Sequence, residues 1–359
     1  MFDVAIVGAG PAGASCASFC AAAGLRTLIL EREKFPREKV CGDCINPACW
    51  PVLRRLEVAD RVRNLPHGRL ERVDFIGIAG RRLTIELPAG EEGEIAIKRS
   101  VFDHVLLDRA LELGAEVETA TVTALFAPDP RTEHWEISAG EQKFRARTLV
   151  AADGRNSTIA RLCGLLPAAT KERIALQTHL PLPAGFENRV VLEFRPEGYS
   201  GQAPVNDAEL NLCLVSIPSR MATLRQWAEA RFALPPRHAW RTITPLTRSP
   251  IPAGHPALFL VGDAARVVEP FTGEGIYYAL ASGELAARAI ALQREGGNPQ
   301  DVAIAYSAAQ AQLYRGRLWI NRIARRAVLS PRVASAFLGA ARFQPALLRL
   351  LTAKIAGMP

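Results

Sequence analysis

The chain has 359 residues, 49% of them hydrophobic and 22% charged, so it is long enough for one large composite domain or two ordinary ones with a sizeable core. No run of about 18 uninterrupted apolar residues occurs, which argues against a spanning helix; no basic segment precedes an apolar stretch at the N-terminus, which argues against a signal peptide and for a cytoplasmic location. The net charge of +8 is uneven: nine basic and no acidic residues follow Asp301, while residues 1–301 hold 35 basic groups against 36 acidic ones.

In chain order, residues 3–8 read as a short buried strand, 11–24 as a helix of small residues closed by Gly24, and 26–31 as a second strand, together a βαβ unit. A loop rich in charge, Cys and Pro runs to about residue 52. Residues 70–97 alternate and carry Gly breaks, which predicts antiparallel strands. Residues 100–113 read as an amphipathic helix with Ser100 as its N-cap and Gly114 past its end. Segments 116–126, 135–137 and 143–152 are strand-like, and 175–250 is mixed, with several strands and many Pro. A strand at 257–261 and a helix at 273–294 follow, and the chain is helical from about residue 300.

The turn inside the βαβ unit is Gly8-Ala9-Gly10-Pro11-Ala12-Gly13, a G-x-G-x-x-G with a strand before it and a helix after it. Gly8 permits the tight turn, Gly10 lets backbone approach a pyrophosphate, and Gly13 lets helix and strand pack closely. The helix start then offers free N–H groups and a positive dipole end to phosphates. Glu31, with Arg32 beside it, ends the second strand 18 residues after Gly13, the place of an acid that binds ribose hydroxyls.

Two further segments matter: Asp153-Gly154 within residues 148–157, and Gly262-Asp263 followed by Pro270-Phe271-Thr272-Gly273-Glu274-Gly275-Ile276. With the first turn, these three motifs in this order resemble the flavoprotein superfamily of p-hydroxybenzoate hydroxylase and geranylgeranyl reductase, over about residues 1–300. The resemblance implies bound FAD. It places Gly8, Gly10, Pro11, Ala12, Gly13, Glu31, Arg32, Asp153, Gly154, Gly262 and Asp263 at that cofactor, with the Asp263 carboxylate holding ribityl or ribose hydroxyls. It also lays Pro270, Gly273, Gly275 and Ile276 against the isoalloxazine. Arg99 matches an Arg that contacts FAD in reductases of this group; read alone, it is a cation near a helix start.

Cys41-Gly42 matches the Cys-Gly of a flavin-proximal segment in geranylgeranyl-reductase-like proteins, although Cys44 stands where Gly is usual. Cys44 and Cys49 also resemble the Cys-x4-Cys redox pair of glutathione-reductase-type enzymes, but the second G-x-G-x-x-G of those enzymes is missing; small buried fillers are the plainer reading, above all for Cys49. No Cys or His pair elsewhere completes a metal site. Segment 195–215 resembles a strand–turn–strand whose Gly-Tyr lines a lipid pocket; Tyr199 is its Tyr, while Ser200, Gly201, Gln202 and Ala203 replace the usual Trp and Phe. Halogenation is not expected, since a Trp-x-Trp-x-Ile-Pro segment is absent and the five Trp are scattered.

The expected fold is α/β: a Rossmann-type FAD-binding domain (1–69, 98–165 and 251–300) with an inserted, mostly antiparallel β substrate domain (70–97 and 166–250) and C-terminal helices (301–359). The expected function is FAD-dependent oxidoreduction, with Cys41, Cys44 and Tyr199 as candidate catalytic residues. The leading reading is an NAD(P)H-linked reductase of a hydrophobic isoprenoid-, lipid- or polyketide-like substrate. A monooxygenase hydroxylating an aromatic ring and an electron-relay flavoprotein stay open. The basic tail reads as amphipathic helices that either pack on the body or touch an anionic membrane; no nucleic-acid motif is present.

Overall fold

The computed structural model describes residues 1–129, 132–167, 173–268 and 273–315. Its first sheet has a parallel core in the order Leu258–Leu260, Gln142–Ala151, Phe2–Val7, Thr27–Glu31, Glu116–Thr119. The apolar runs Val4–Val7 and Leu28–Leu30 are buried in a core shared with Cys16, Ala17 and Cys20 of the helix that follows and with Ile137 of strand Trp135–Ala139. Strand order reverses at Phe2–Val7: the chain leaves it toward Thr27–Glu31 on one side and returns to its other side through Gln142–Ala151. That switch point opens a crevice at the strand's C-terminal end, where Gly8 begins the Gly-rich turn.

Helix Pro11–Ala22 starts at that turn, closes on it through Gly13, and packs against Gly275–Arg294 through Gly283. A Cβ on Gly13 would lie 1.9 Å from the Gly8 carbonyl oxygen, and one on Gly283 would lie 2.4 Å from the Ala12 carbonyl oxygen. Only glycine allows both approaches.

A second sheet of seven strands has the order Arg241–Ile243, Ile174–Pro181, Glu209–Ser216, Gly198–Pro204, Arg189–Arg195, Arg72–Ile76, Arg82–Glu86. It is antiparallel except where Arg189–Arg195 runs parallel to Arg72–Ile76. A small third sheet joins Cys44–Ile45, Glu94–Ala96 and Gly68–Leu70. The mixed architecture is the α/β class expected, with a parallel Rossmann-like core beside antiparallel sheets.

Three local expectations need correction. Ser100 is not the N-cap: the helix runs Arg99–Glu112 behind Lys98, and the Ser100 hydroxyl donates instead to Glu38 at 3.1 Å. The paired bonds from Arg99 to Asp103, one turn on, draw Arg99 into the first turn. Segment 116–126 is two strands, Glu116–Thr119 and Ala124–Phe126, which pair in different places. Within the segment read as strands and prolines lies a helix, Pro218–Arg231, whose Met221, Leu224 and Ala228 cover the seven-stranded sheet at Leu210, Leu212 and Leu214. The C-terminal helices are described only for Pro299–Leu313; the basic tail that follows lies outside the described residues.

Candidate functional site

The crevice continues into a cavity of about 250 Å³ whose walls come from all three sheets. The Gly-rich turn contributes Gly10, Pro11 and Ala12. Gly8 has φ +102°, and a Cβ there would sit 2.6 Å from the Ala152 carbonyl oxygen, so the turn is closed to side chains from the protein's own side. Gly10 differs: its N-cap backbone is extended, and a Cβ would meet only Arg37 Nη2, at 3.5 Å. The helix has no acidic residue in its first turn, so its N-terminal dipole faces the cavity uncancelled.

Glu31 is buried at the base of the turn. Its Oε2 accepts from the Ala9 N–H at 2.7 Å and its Oε1 from the Glu33 N–H at 3.0 Å. Arg32 beside it points to solvent, with a side chain 73% exposed next to Glu33. The cation near the turn is Arg37, held between Glu31 at 3.9 Å and Asp103 at 3.3 Å.

Arg99 is buried rather than on the surface: it lines the cavity and makes paired bonds to Asp103 at 2.7 and 2.8 Å. Lys39, unsuspected in sequence, lines the same cavity. Burial, with Arg99 and Arg37 nearby, lowers its pKa to about 8. Nothing in its local sequence marked it; only the folding of the loop across the crevice brings it to Gly154, whose Cβ position lies 3.4 Å from Lys39 Nζ.

Asp153 turns its carboxylate away from the crevice and caps the short helix Thr158–Leu162, accepting from Thr158 N–H at 2.6 Å and Ile159 N–H at 3.1 Å. Its neighbours Gly154 and Arg155 face the cavity instead. Asp263 also faces it, paired with Arg155 at 3.1 Å. Gly262 takes φ +54° and donates its N–H to Ser282 Oγ at 2.8 Å, which aims Asp263 off the strand end. Gly273, Gly275 and Ile276 line the cavity, whereas Pro270 lies outside the described residues.

Cys41 and Cys44 line the cavity and Cys49 does not; Cys49 is packed in the core beside Trp50 and Leu53. The Cys41 carbonyl oxygen accepts from Asn211 Nδ2 at 2.9 Å and from the Cys213 thiol at 3.2 Å, which ties the cysteine loop to the seven-stranded sheet. Burial pushes the Cys44 and Cys213 thiols well up. Tyr199 is buried in the opposite wall, near Phe194. Among the described residues no group of His, Cys, Asp and Glu could hold a metal ion.

A family profile for the FAD binding domain matches residues 1–245. The chain belongs to this FAD-binding family. It is an FAD-dependent oxidoreductase, with reductases among its relatives. The menaquinone reductase of Mycolicibacterium smegmatis is 29% identical over 82% of this chain and 77% of its own length. Digeranylgeranylglycerophospholipid reductase 2 of Methanopyrus kandleri is 31% identical over 80% of this chain and 78% of its own. Conditioned medium factor receptor 1 of Dictyostelium discoideum is 27% identical, and the FAD-binding chain spans 63% of its length. The flavin-dependent brominase Bmp2 superposes with a TM-score of 0.80 at 21% identity, over 98% of this chain and 93% of that one, a likeness of fold alone.

The site suits that cofactor. The turn leaves Gly10 open to the cavity, cationic Arg37, Lys39 and Arg99 gather beside a helix N-terminus, and a carboxylate stands at the next strand end. Sequence reasoning missed Arg37, Lys39 and Arg155. Arg155 had a signal, since it follows Asp153-Gly154 directly.

Proposed function

We propose that the chain is an NAD(P)H-linked, FAD-dependent reductase of a hydrophobic isoprenoid-, lipid- or polyketide-like substrate. The observation that carries this reading is the apolar wall. Val73, Phe75, Leu87, Leu192, Tyr199 and Val215 face across the cavity toward the cysteine loop and the turn at Gly273–Ile276. An elongated apolar molecule is driven into such a space by loss of its hydrated surface, at about 25 cal/mol per Å². Two of the relatives, a menaquinone reductase and a digeranylgeranylglycerophospholipid reductase, agree with that chemistry.

In this reading the Gly8–Gly13 turn and the helix start hold the pyrophosphate. Arg37 and Lys39 supply charge, and Asp263 accepts from cofactor hydroxyls while Arg155 orients it. Glu31 acts one step back: it fixes the turn through the Ala9 N–H. Bound FAD supplies hydride chemistry that no side chain can supply. The protein's part is to orient the substrate, exclude water and move protons. NAD(P)H is a transient reductant.

The test is anaerobic turnover with NAD(P)H and a short-chain isoprenoid or quinone. We expect oxidation of one NAD(P)H per product that has gained two hydrogens. A strict oxygen requirement, with an oxygen atom in the product, sinks the reading in favour of hydroxylation.

No described helix is long and apolar enough to cross a membrane. The basic tail is the segment through which we propose contact with anionic lipid, since a lipid-like substrate would then load without crossing water. Sedimentation with anionic vesicles at low and high salt checks this; protein left in the supernatant at low salt refutes it.

A further inference from the structure

We propose that Glu94 is the proton donor of the reductive step, passing its carboxyl proton to the substrate carbon next to the one that takes hydride. The inference rests on the reductase reading above. Glu94 opens the short strand Glu94–Ala96, which pairs with Cys44–Ile45 of the cysteine loop. Its side chain lines the cavity, at the edge where the apolar wall meets the turn at Gly273. From the position a Gly273 Cβ would take, Glu94 Oε1 lies 3.8 Å away and Cys44 Cβ 3.7 Å.

Two carboxylates line this cavity, and they are differently placed. Asp263 is taken up by an ion pair with Arg155 at 3.1 Å. Glu94 has no ion pair among the described residues. Lys98, four residues on, is paired with Glu209 at 3.1 Å, and Arg54 is paired with Glu92. The titratable groups that feel Glu94 are the Cys44 and Cys49 thiols, both pushed up by burial and therefore neutral. Burial alone raises the Glu94 carboxyl to about 7, where an acid can both donate and be recharged. Cys44 is the other acidic group on this edge, and its thiol is shifted the wrong way to compete.

The balance is simple. Saturating an alkene adds one hydride and one proton. The hydride, drawn from the reduced cofactor, forms one C–H bond; the π pair forms the other with the proton of Glu94, whose O–H bond breaks. Glu94 is left as a carboxylate and is reprotonated from solvent through the cavity mouth. NAD(P)H would replace the two electrons that the cofactor gives up as hydride.

Glu94→Gln keeps the shape and removes the acid. We expect unchanged flavin content and a reoxidation of the reduced enzyme by an isoprenoid alkene slowed by about 10²–10⁴-fold, the usual worth of a positioned acid. Infrared difference spectra give a readout independent of turnover. Wild type should show the carbonyl stretch of a protonated carboxyl that fades as pH rises through about 7, and the variant should lack it. Equal reoxidation rates in wild type and variant, or no titrating band in wild type, overturn the proton donor and leave the reductase reading standing. Wild-type enzyme that no alkene or quinone probe reoxidises overturns that reading and the donor role with it.

Discussion

At Gly10 the backbone is extended, with φ −70° and ψ −179°, and an added Cβ would touch only the end of the Arg37 side chain. Gly8 and Gly13 are needed by the fold, whereas at Gly10 the fold leaves room for a side chain, and we propose that a bound pyrophosphate takes that room. We therefore expect Gly10→Val to fold with a loss of less than about 1 kcal/mol from the poorer cap, yet to purify colourless. Thermal melting beside the flavin absorbance separates the two effects, and a fully yellow variant refutes the placement of the phosphates. Lys39 gives the site a pH dependence. With its pKa lowered to about 8, it is charged below that pH and neutral above it. A bound pyrophosphate favours the charged form, so FAD affinity should be constant below about pH 8 and weaken above it, by at most tenfold per pH unit for one proton. Titration of apoprotein with FAD on both sides of pH 8 measures this. Lys39→Met should bind more weakly and lose the slope; an unchanged slope in the variant places the titration elsewhere.

Among the elements, the pair of helices Pro11–Ala22 and Gly275–Arg294 sets the shape of the crevice. They meet where Gly283 lies against the Ala12 carbonyl, so Gly283→Ala must push them apart. We expect about 1–3 kcal/mol lost from overpacking and, if Ala12 helps hold the cofactor as proposed, weaker flavin retention too. A melting curve identical to wild type refutes this packing. The first βαβ unit was legible because each of its glycines answers a local demand of turn or close approach. Helix Pro218–Arg231 was not, because its apolar positions are few and prolines around it read as breaks; Pro218 in fact sits in its first turn, where a missing N–H costs nothing. Ser100 looked like a cap by residue type, but the buried pair of Arg99 and Asp103 won the helix start. Glu94 carried no sequence signal. Its chemistry arises from a strand of three residues set beside Cys44 and Gly273, which are far from it in the chain.

At the scale of the molecule, the cavity is shared property: the parallel sheet supplies the polar end and the seven-stranded sheet the apolar one. A buried contact binds the seven-stranded sheet to the cysteine loop. His179 Nε2 lies 2.8 Å from Asp43 Oδ2, and Asp43 takes φ +61° in the turn that carries Cys41 and Cys44. The cysteine loop is thus fastened to the seven-stranded sheet at Asp43 and at the Cys41 carbonyl, while its Lys39 end reaches Gly154.

Strand Gly198–Pro204 carries a consequence for the size of molecule admitted. Successive odd positions of a strand face one way, and here Tyr199, Gly201 and Ala203 look into the cavity. A Cβ on Gly201 would meet nothing closer than Leu192 Cδ2, at 3.6 Å. The strand is a ruler whose graduations are side-chain volumes, and this chain has left its middle mark blank. The depth of the cavity can be changed here without touching the Gly8–Gly13 turn: a larger residue at 201 would fill space that the glycine leaves open.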